Sequence, residues 1–255
     1  MKIVVTVKVV PEEIKIDKET GRVVRENVAS IFNPLDLLAA EGGIKLKEEV
    51  GGELIAVSMA PLKESELLST LFKYGFDRVI LLTDKAFAGS DTIATAFVLG
   101  SAIKKLIPDY DLILQGDYSL DGATGQLGGE MAALLDIPFV SQASSVKMDK
   151  SLEIERLREE SIERYTLKLP ALVSVRRGIN NGITVNLFSL MDERKKSVEI
   201  YTNKELKLPE KRIGKSGSKT EVVNVVQVEL PSNTELIKEN GAKHLADFLE
   251  KAGVV

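Results

Sequence analysis

The residues best suited to chemistry form a glycine-rich segment between a predicted strand and a predicted helix. Gly116 follows the predicted strand from Asp111 to Gln115, which has an apolar centre, and glycines recur as far as Gly129. Glycine lets backbone N–H groups approach a phosphate, and a helix N-terminus adds a positive partial charge. Thr124 supplies a hydroxyl in the same turn. The segment is neither a Walker A loop nor a G-x-G-x-x-G fingerprint, so it fits nucleotide binding and also a plain strand-to-helix loop.

Three further segments are expected at the same edge of the sheet. The first strand ends near Thr6, the loop from Asn33 to Asp36 opens the first helix, and Met59 ends the second strand. In an open α/β sheet, ligands bind outside the carboxyl ends of the strands. These segments predict a crevice the size of an adenine nucleotide. Taken alone, Asn33 and Asp36 also fit a turn and a helix cap around Pro34.

A second helix start made of small residues is predicted at this edge. It comprises Ser90, Asp91 and Thr92, which follow Ala88 and Gly89. Ser90 or Asp91 is a good N-cap, so an ordinary cap explains the segment. The alternative is a second polar wall around a larger ligand.

The composition excludes most common side-chain catalysts. The 255 residues contain no Cys and one His, His244. Without Cys there is no disulfide framework, thiol nucleophile or iron–sulfur cluster, and one His cannot form a multi-histidine metal site. His244 lies in the predicted C-terminal helix, where a solvated residue is expected. The remaining options are chemistry with carboxylates, Lys and Arg, or a bound cofactor that supplies the chemistry.

Charge and hydropathy limit the partners. The net charge is −4 and the pI is near 5.4, which argues against nucleic acid as the main partner. No apolar run approaches the roughly 20 residues of a membrane span. The N-terminus leads directly into a β-branched strand and has no cleavage site for a signal peptide. We therefore expect a cytoplasmic protein without a membrane span.

Alternating strand and helix patterns in the first half predict an α/β fold with a doubly wound, mostly parallel, Rossmann-like sheet. The second half predicts two antiparallel strands, from Val146 to Leu157 and from Ile162 to Leu169. A polar arm from Leu206 and a last helix from Thr234 to Lys251 would follow. We expect a nucleotide-binding domain of residues 1–205, with a loop near residues 180–196. A C-terminal arm and helix would follow in residues 206–255.

The chain resembles the beta subunit of electron-transfer flavoprotein along essentially its whole length. The matching segments are Val4 to Lys8, Asn33-Pro34, Ile55 to Ser58, Asp121-Gly122 with Thr124 to Gln126, and Leu169 to Val173. The family signature runs from Ile154 through Arg156, Glu159 and Glu163 to Pro170. Three positions depart from the usual residues: Ser161, Tyr165 and Ser174.

The resemblance implies an electron-carrier subunit rather than an enzyme, in a heterodimer whose alpha subunit binds most of the electron-carrying FAD. The arm and last helix would pack on that subunit. The beta subunit would bind AMP in a structural role, or a second FAD in an electron-bifurcating form. Its cofactor-binding residues would be Thr6, Asn33, Pro34, Leu35, Asp36, Met59, Ser90, Asp91, Thr92, Asp121, Gly122, Ala123, Thr124, Gly125, Gln126, Leu127 and Gly128.

The choice between AMP and a second FAD depends on two segments. Ala88 to Thr92 resembles the motif that bifurcating-type members carry beside their second flavin. Asp117, Tyr118 and Ser119 depart from the usual Arg/Lys-Gln-Ala, and a carboxylate near a phosphate weakens binding unless another group compensates. The first segment favours FAD slightly, and AMP remains open.

The family also docks dehydrogenases, such as those of the acyl-CoA dehydrogenase type, through a loop with a protruding Leu. By position this is Leu187, with Met191 nearby. An exposed aliphatic anchor gives a small hot spot and fast release, which suits an electron carrier. The alternative is that Leu187 is a core residue beside the helix expected from Ser189 to Lys196.

An ATP-binding or ATP-hydrolysing stress-type protein of the same fold is the alternative function. Such a protein needs a cation near the phosphates and often a carboxylate pair for Mg²⁺. Lys8 would be the cation, and Asp117 and Asp121 the carboxylates.

Overall fold

The computed structural model describes residues 1–13, 15–16, 23–24, 29–180, 183–185, 189–190, 196–221, 223, 237 and 239–253, with the backbone alone at residues 15, 16, 23 and 24. The chain divides into two compact units, Met1–Val223 and Asn224–Val255.

Strands and helices alternate along the first unit. In chain order they are β1 (Lys2–Thr6), β2 (Val9–Pro11), β3 (Lys15–Ile16), β4 (Val23–Val24), β5 (Ser30–Phe32), α1 (Pro34–Val50), β6 (Glu53–Met59), α2 (Ser65–Ser69), β7 (Arg78–Leu82), α3 (Thr92–Leu106), β8 (Leu112–Gly116), α4 (Leu127–Leu135), β9 (Phe139–Ala143), β10 (Ser145–Met148), β11 (Leu152–Leu157), β12 (Ile162–Leu167), β13 (Ala171–Val175), β14 (Glu199–Tyr201), α5 (Asn203–Leu206) and α6 (Gly214–Gly217). Short 3₁₀ helices occupy Leu62–Glu64, Thr70–Tyr74, Lys85–Phe87 and Glu210–Arg212.

Within the described residues, the main sheet has the order β14-β7-β6-β1-β8-β13-β9, and every neighbouring pair is parallel. From β1 the chain proceeds through β6 to β7 on one side, and then crosses to β8 on the other side of β1. The strand order therefore reverses between β1 and β8. The doubly wound sheet predicted from the sequence is confirmed.

The apolar runs of the central strands are explained by burial on both faces of the sheet. In β1, Ile3 and Val5 pack in one core cluster and Val4 packs in the other. Helix α1 covers the first face, and α3 and α4 cover the second. A parallel strand buried on both faces has no polar alternation, which is the pattern seen from Lys2 onward.

The antiparallel strands β10, β11 and β12 form a separate small sheet between β9 and β13 in the chain. We predicted one strand from Val146 to Leu157, but a turn at residues 149–151 divides it into β10 and β11. After this sheet the chain returns to the main sheet as β13, which lies between β8 and β9. The sequence pattern did not predict β9, because its partly exposed residues lack a clear period.

Residues 203–221 pack within the first unit, on its second core cluster, and do not form the extended arm that the sequence predicted. Leu206 and Ile213 are buried in the second core cluster. The Arg212 guanidinium lies 3.8 Å from the centroid of the Phe97 ring in α3. The compact unit consequently extends beyond residue 205, because two buried apolar side chains anchor a segment that is otherwise polar.

The second unit contains helix α7 (Gly241–Lys251), which agrees with the C-terminal helix expected from the sequence. Leu245 and Phe248 are exposed on it, and so is His244. Of the helices that the structure describes, none has both the length and the apolar composition that a membrane crossing requires.

Gly116 offers a test of the packing where the strand order reverses between β1 and β8. A Cβ at this position would lie 2.5 Å from Oδ1 of Asp36 and 2.6 Å from Cβ of Leu35. We expect Gly116→Ala to destabilise the chain by about 1–3 kcal/mol through overpacking. The matched control is Gly42→Ala in α1, where the nearest atom would be 3.6 Å away. There we expect no loss, since alanine favours a helix by up to about 1 kcal/mol. Urea denaturation measures both, and equal stabilities would contradict this packing.

Candidate functional site

The carboxyl ends of β1, β6 and β8 meet at one edge of the sheet. Thr6 pairs in register with Val57, and Val5 pairs with both Ala56 and Leu114. By strand alternation, Thr6 and Met59 face the side of the sheet covered by α3 and α4. The structure thus places these two predicted site residues on the same face of the sheet, beside the point where the strand order reverses.

Asn33 and Asp36 hold this edge together, and neither side chain caps α1. Asp36 accepts hydrogen bonds from the backbone N–H of Lys8 at 2.8 Å and of Gly116 at 2.9 Å. Asn33 donates through Nδ2 to the carbonyl of Tyr118 at 3.0 Å. Its Oδ1 accepts from the N–H of Leu120 at 3.2 Å. The two side chains connect the loop after β1 to the loop after β8.

The Asp36 carboxyl is almost completely buried, with 6% of its surface exposed. Burial away from water raises its pKa from 3.8 to about 6, and the hydrogen bonds from Lys8 and Gly116 partly oppose this rise.

Pro34 occupies the first turn of α1, where a missing N–H has no cost, and Leu35 is buried beside Gly116.

The glycine-rich loop after β8 is exposed from Gly122 to Gln126, and α4 begins at Leu127. Ala123 and Gly125 have left-handed backbones, with φ of 50° and 64°. Left-handed residues in such turns allow neighbouring N–H groups to converge on an anion. Gly128 packs closely on the sheet, since a Cβ there would lie 2.6 Å from Nε2 of Gln115. The loop therefore has the backbone features of an anion site at a helix N-terminus.

Asp117 is bound by neighbouring strands. Its Oδ1 accepts from the Ser174 hydroxyl at 2.9 Å, and its Oδ2 accepts from Nε2 of Gln142 at 3.1 Å. Two residues that depart from the family pattern, Asp117 and Ser174, are thus in direct contact. These neutral donors satisfy the hydrogen bonds of the carboxylate that replaces the usual cation, and they leave its negative charge in place.

Ser90 and Asp91 contact the segment that follows α5. Asp91 caps α3, because its Oδ1 accepts from the N–H of Ala94 at 2.9 Å. Its Oδ2 accepts from the N–H of Lys219 at 2.6 Å. The Ser90 hydroxyl accepts from the N–H of Gly214 at 3.1 Å. The cap interpretation is confirmed for Asp91, and both side chains also hold residues 214–220.

Thr92 connects the first turns of α3 and α4. Its hydroxyl donates to Oε1 of Glu130 at 3.0 Å. Burial raises the pKa of Glu130, and the nearby charge of Asp91 raises it further. Thr92 and Glu130 therefore form a polar wall at the same edge as the glycine-rich loop.

Within the part of the chain that the structure describes, three buried side-chain oxygens lack a hydrogen-bond partner: Ser58 Oγ, Gln115 Oε1 and Glu130 Oε2. Gln115 is next to last in β8 and Glu130 is in the first turn of α4, so both lie on the face covered by α3 and α4, whereas Ser58 alternates with Val57 in β6 and faces the other side of the sheet. Buried polar groups are normally paired, so two unpaired oxygens on the same face are expected where a polar ligand or ordered water completes the bonding.

Gln115 was not predicted from the sequence, whereas Glu130 falls within the segment from Asp121 to Ala132 that the family resemblance implies for the adenylate pocket. The available signal for Gln115 was one long polar side chain in the otherwise apolar strand from Leu112 to Gly116. The predicted docking residues Leu187 and Met191 lie outside the described residues.

These features define an open α/β protein with a polar crevice where the strand order reverses, which is the place where such folds bind ligands. The comparisons with known proteins specify the family. Residues 20–206 match the family model of the electron transfer flavoprotein domain. The chain is 37% identical over 227 residues to the electron transfer flavoprotein subunit beta of Thermoanaerobacterium thermosaccharolyticum, covering 88% of this chain and 86% of the relative.

Two further relatives carry other names. The chain is 33% identical over 253 residues to the caffeyl-CoA reductase-Etf complex subunit CarD of Acetobacterium woodii, covering 98% of this chain and 96% of the relative. It is 33% identical over 189 residues to protein FixA of Azorhizobium caulinodans, covering 71% and 67%. The chain belongs to the electron transfer flavoprotein beta-subunit family, and the predicted resemblance is confirmed. Members are electron-carrier subunits that act with an alpha subunit. Family membership therefore favours an electron-carrier subunit over an ATP-hydrolysing protein.

The raised pKa of Asp36 predicts a specific pH dependence of stability. The folded chain binds a proton at this carboxyl more tightly than the unfolded chain does. The stability that Asp36 contributes is therefore greatest below about pH 4 and falls as the pH rises through about 6, by up to about 3 kcal/mol. In urea denaturation between pH 4 and 7, the stability of the wild type relative to Asp36→Asn should decline by this amount.

The control is Asp109→Asn, because a hydrogen bond from Lys2 lowers the pKa of the exposed Asp109 carboxyl. Its effect should run in the opposite direction, with the advantage of the wild type growing as the pH rises. A difference between wild type and Asp36→Asn that does not change with pH would contradict the prediction.

Proposed function

We propose that this chain carries electrons as the beta subunit of a heterodimeric electron-transfer flavoprotein, and that its crevice holds an adenine nucleotide. The observation that carries the proposal is that Gln115 Oε1 and Glu130 Oε2, both on the face covered by α3 and α4, are buried and without a partner at the edge where the strand order reverses. The nucleotide is AMP or the adenylate half of a second FAD.

The residues at this edge fit such a ligand. Backbone N–H groups between Ala123 and Gln126 and the Thr124 hydroxyl would hold the phosphate, beside the positive end of α4. Gln115 and Glu130 would accept hydrogen bonds from amino or hydroxyl groups of the ligand. The other predicted residues, Thr6, Met59 and the loop from Asn33 to Asp36, would shape the crevice.

A second FAD is favoured over AMP because a polar wall continues from α4 to α3. Thr92 and Glu130 are joined at 3.0 Å, and a ligand longer than AMP would reach them. When bound, the flavin would store and release one or two electrons. The chain itself would supply binding groups, the exclusion of water and the contact with the alpha subunit.

The nucleotides released from the denatured heterodimer test this proposal. We expect two FAD molecules per heterodimer. One FAD with one AMP would reject the second flavin and retain the adenine-nucleotide site. One FAD with no other adenine nucleotide would reject the site itself.

A variant tests the position of the site. Thr124 is exposed in the glycine-rich loop, so Thr124→Ala should preserve the fold. A hydrogen bond to a charged group contributes about 1.5–3 kcal/mol, so the affinity for nucleotide should fall by about tenfold or more. Thr166→Ala, at an exposed threonine of β12, is the matched control and should retain the wild-type nucleotide content. Equal contents in the two variants would contradict the assignment of Thr124.

We further propose that Leu187, with Met191 beside it, docks the electron-donating dehydrogenase, as the family resemblance implies. A single aliphatic anchor gives enough affinity for a short encounter and permits rapid release. Leu187→Ala should slow electron exchange with an acyl-CoA dehydrogenase at least severalfold in stopped-flow measurements, while the flavin content stays normal. Unchanged exchange kinetics would reject this role.

The second unit is proposed to contact the alpha subunit. Its helix α7 exposes Leu245 and Phe248. An amphipathic helix with exposed large apolar side chains is typical of a segment that a partner covers.

A further inference from the structure

Lys8 bridges the two loops that border the crevice. Its backbone is fixed on the β1 side, because its N–H donates to Asp36 and its carbonyl accepts from the N–H of Asn33 at 2.8 Å. Its side chain crosses to the loop after β8. There Nζ donates to the Ser119 hydroxyl at 3.1 Å and to Oδ1 of Asp121 at 2.6 Å.

The charge of Asp121 matters because this residue opens the glycine-rich loop. The Asp121 side chain is 12% exposed and that of Lys8 is 45% exposed, so the pair lies at the border of the crevice. A carboxylate in a partly buried position acts over several ångströms with little screening by water. Without a compensating cation, it would repel a phosphate bound in the same loop.

A second observation indicates a ligand at this helix start. The Gln115 side chain is only 3% exposed, and its Oε1 has no hydrogen-bond partner. Its amide lies directly against Gly128 in the first turn of α4. Gln115, with its unpaired amide oxygen, therefore contacts the end of the glycine-rich loop at Gly128, and Lys8 contacts the start of that loop at Asp121.

We propose that Lys8 determines specificity in the crevice: by neutralising Asp121, it allows the crevice to bind a phosphate-bearing nucleotide in preference to the corresponding nucleoside. The inference rests on the proposed function, since it concerns the same adenine-nucleotide site. It assigns to Lys8 an electrostatic role that a purely structural bridge between two loops would not have.

The test compares two probes, AMP and adenosine, in equilibrium dialysis with the full-length chain in its heterodimer after bound nucleotide has been removed. For Lys8→Met we expect the dissociation constant of AMP to rise about tenfold and that of adenosine to change less than twofold. Lys8→Arg should retain AMP binding. Circular dichroism checks the fold, and Lys8→Gln replaces Lys8→Met if the latter does not fold.

The matched control is Lys45→Met. Lys45 pairs with Glu41 at 2.8 Å in α1, with side-chain exposures of 50% and 12% that closely resemble those of Lys8 and Asp121. This variant should bind both probes like the wild type. The double variant Lys8→Met with Asp121→Asn should recover most of the AMP affinity, because the negative charge that the Lys8 ammonium balances is removed with it.

Three outcomes would each overturn the inference while the proposed nucleotide site stands. Lys8→Met could lose affinity for AMP and adenosine equally, it could lose no affinity for AMP, or the double variant could fail to recover AMP affinity. A wild-type heterodimer that binds neither probe would overturn the proposed site and the inference together.

Discussion

The Asp36 carboxylate joins the two strands between which the sheet reverses its order. It accepts from the N–H of Lys8 after β1 and from the N–H of Gly116 at the end of β8. The two N–H donors, at Lys8 and Gly116, are 108 positions apart by their residue numbers. The crevice exists because Asp36 holds these two strand ends at a fixed separation. Gly116 must lack a side chain for this contact, since Asp36 and Leu35 occupy the space that a Cβ would need. Burial makes the carboxylate costly in free energy, and the hydrogen bonds offset part of that cost.

The acidic side chains around the crevice are each compensated in a different way. Asp117 accepts from the neutral donors Ser174 and Gln142, and Asp121 pairs with Lys8. Asp91 accepts from backbone N–H groups at a helix start and in the segment after α6. These contacts satisfy the hydrogen bonds of the three carboxylates, and the Lys8 ammonium also balances the charge of Asp121 at the start of the exposed loop from Gly122 to Gln126. The net charge of −4 gives no indication of this local balance.

The composition agrees with a subunit that binds a cofactor and leaves the chemistry to it. The chain has no Cys and its single His is exposed on α7. The chain belongs to the electron transfer flavoprotein family, and under the proposed function it would need donors and acceptors for binding rather than acids and bases. Its buried oxygens without partners, Gln115 Oε1 and Glu130 Oε2, are groups of that kind.

The sequence by itself determined the fold class, the family and the position of the glycine-rich loop. Strand and helix periods are local, and a strand buried on both faces shows a continuous apolar run, as Lys2 to Thr6 does. The sequence also placed Thr6, Met59 and Asn33 to Asp36 at one edge, because the carboxyl ends of parallel strands must meet there. The binding roles of these residues, and of Leu187 and Met191, remain predictions.

Only the tertiary structure decided which side chains contact each other. Asn33 forms hydrogen bonds with residues 118 and 120 and does not cap α1. Asp117 accepts a hydrogen bond from Ser174 in β13. Ile213 is buried in the core and anchors a segment that the sequence pattern predicted to be a polar arm. The partners of Asn33, and Ser174 as a partner of Asp117, lie more than fifty positions away in the chain, so no local pattern encodes these contacts. Gln115 and Glu130 are distinguished by a missing partner, and this property exists only after every neighbouring group has been placed.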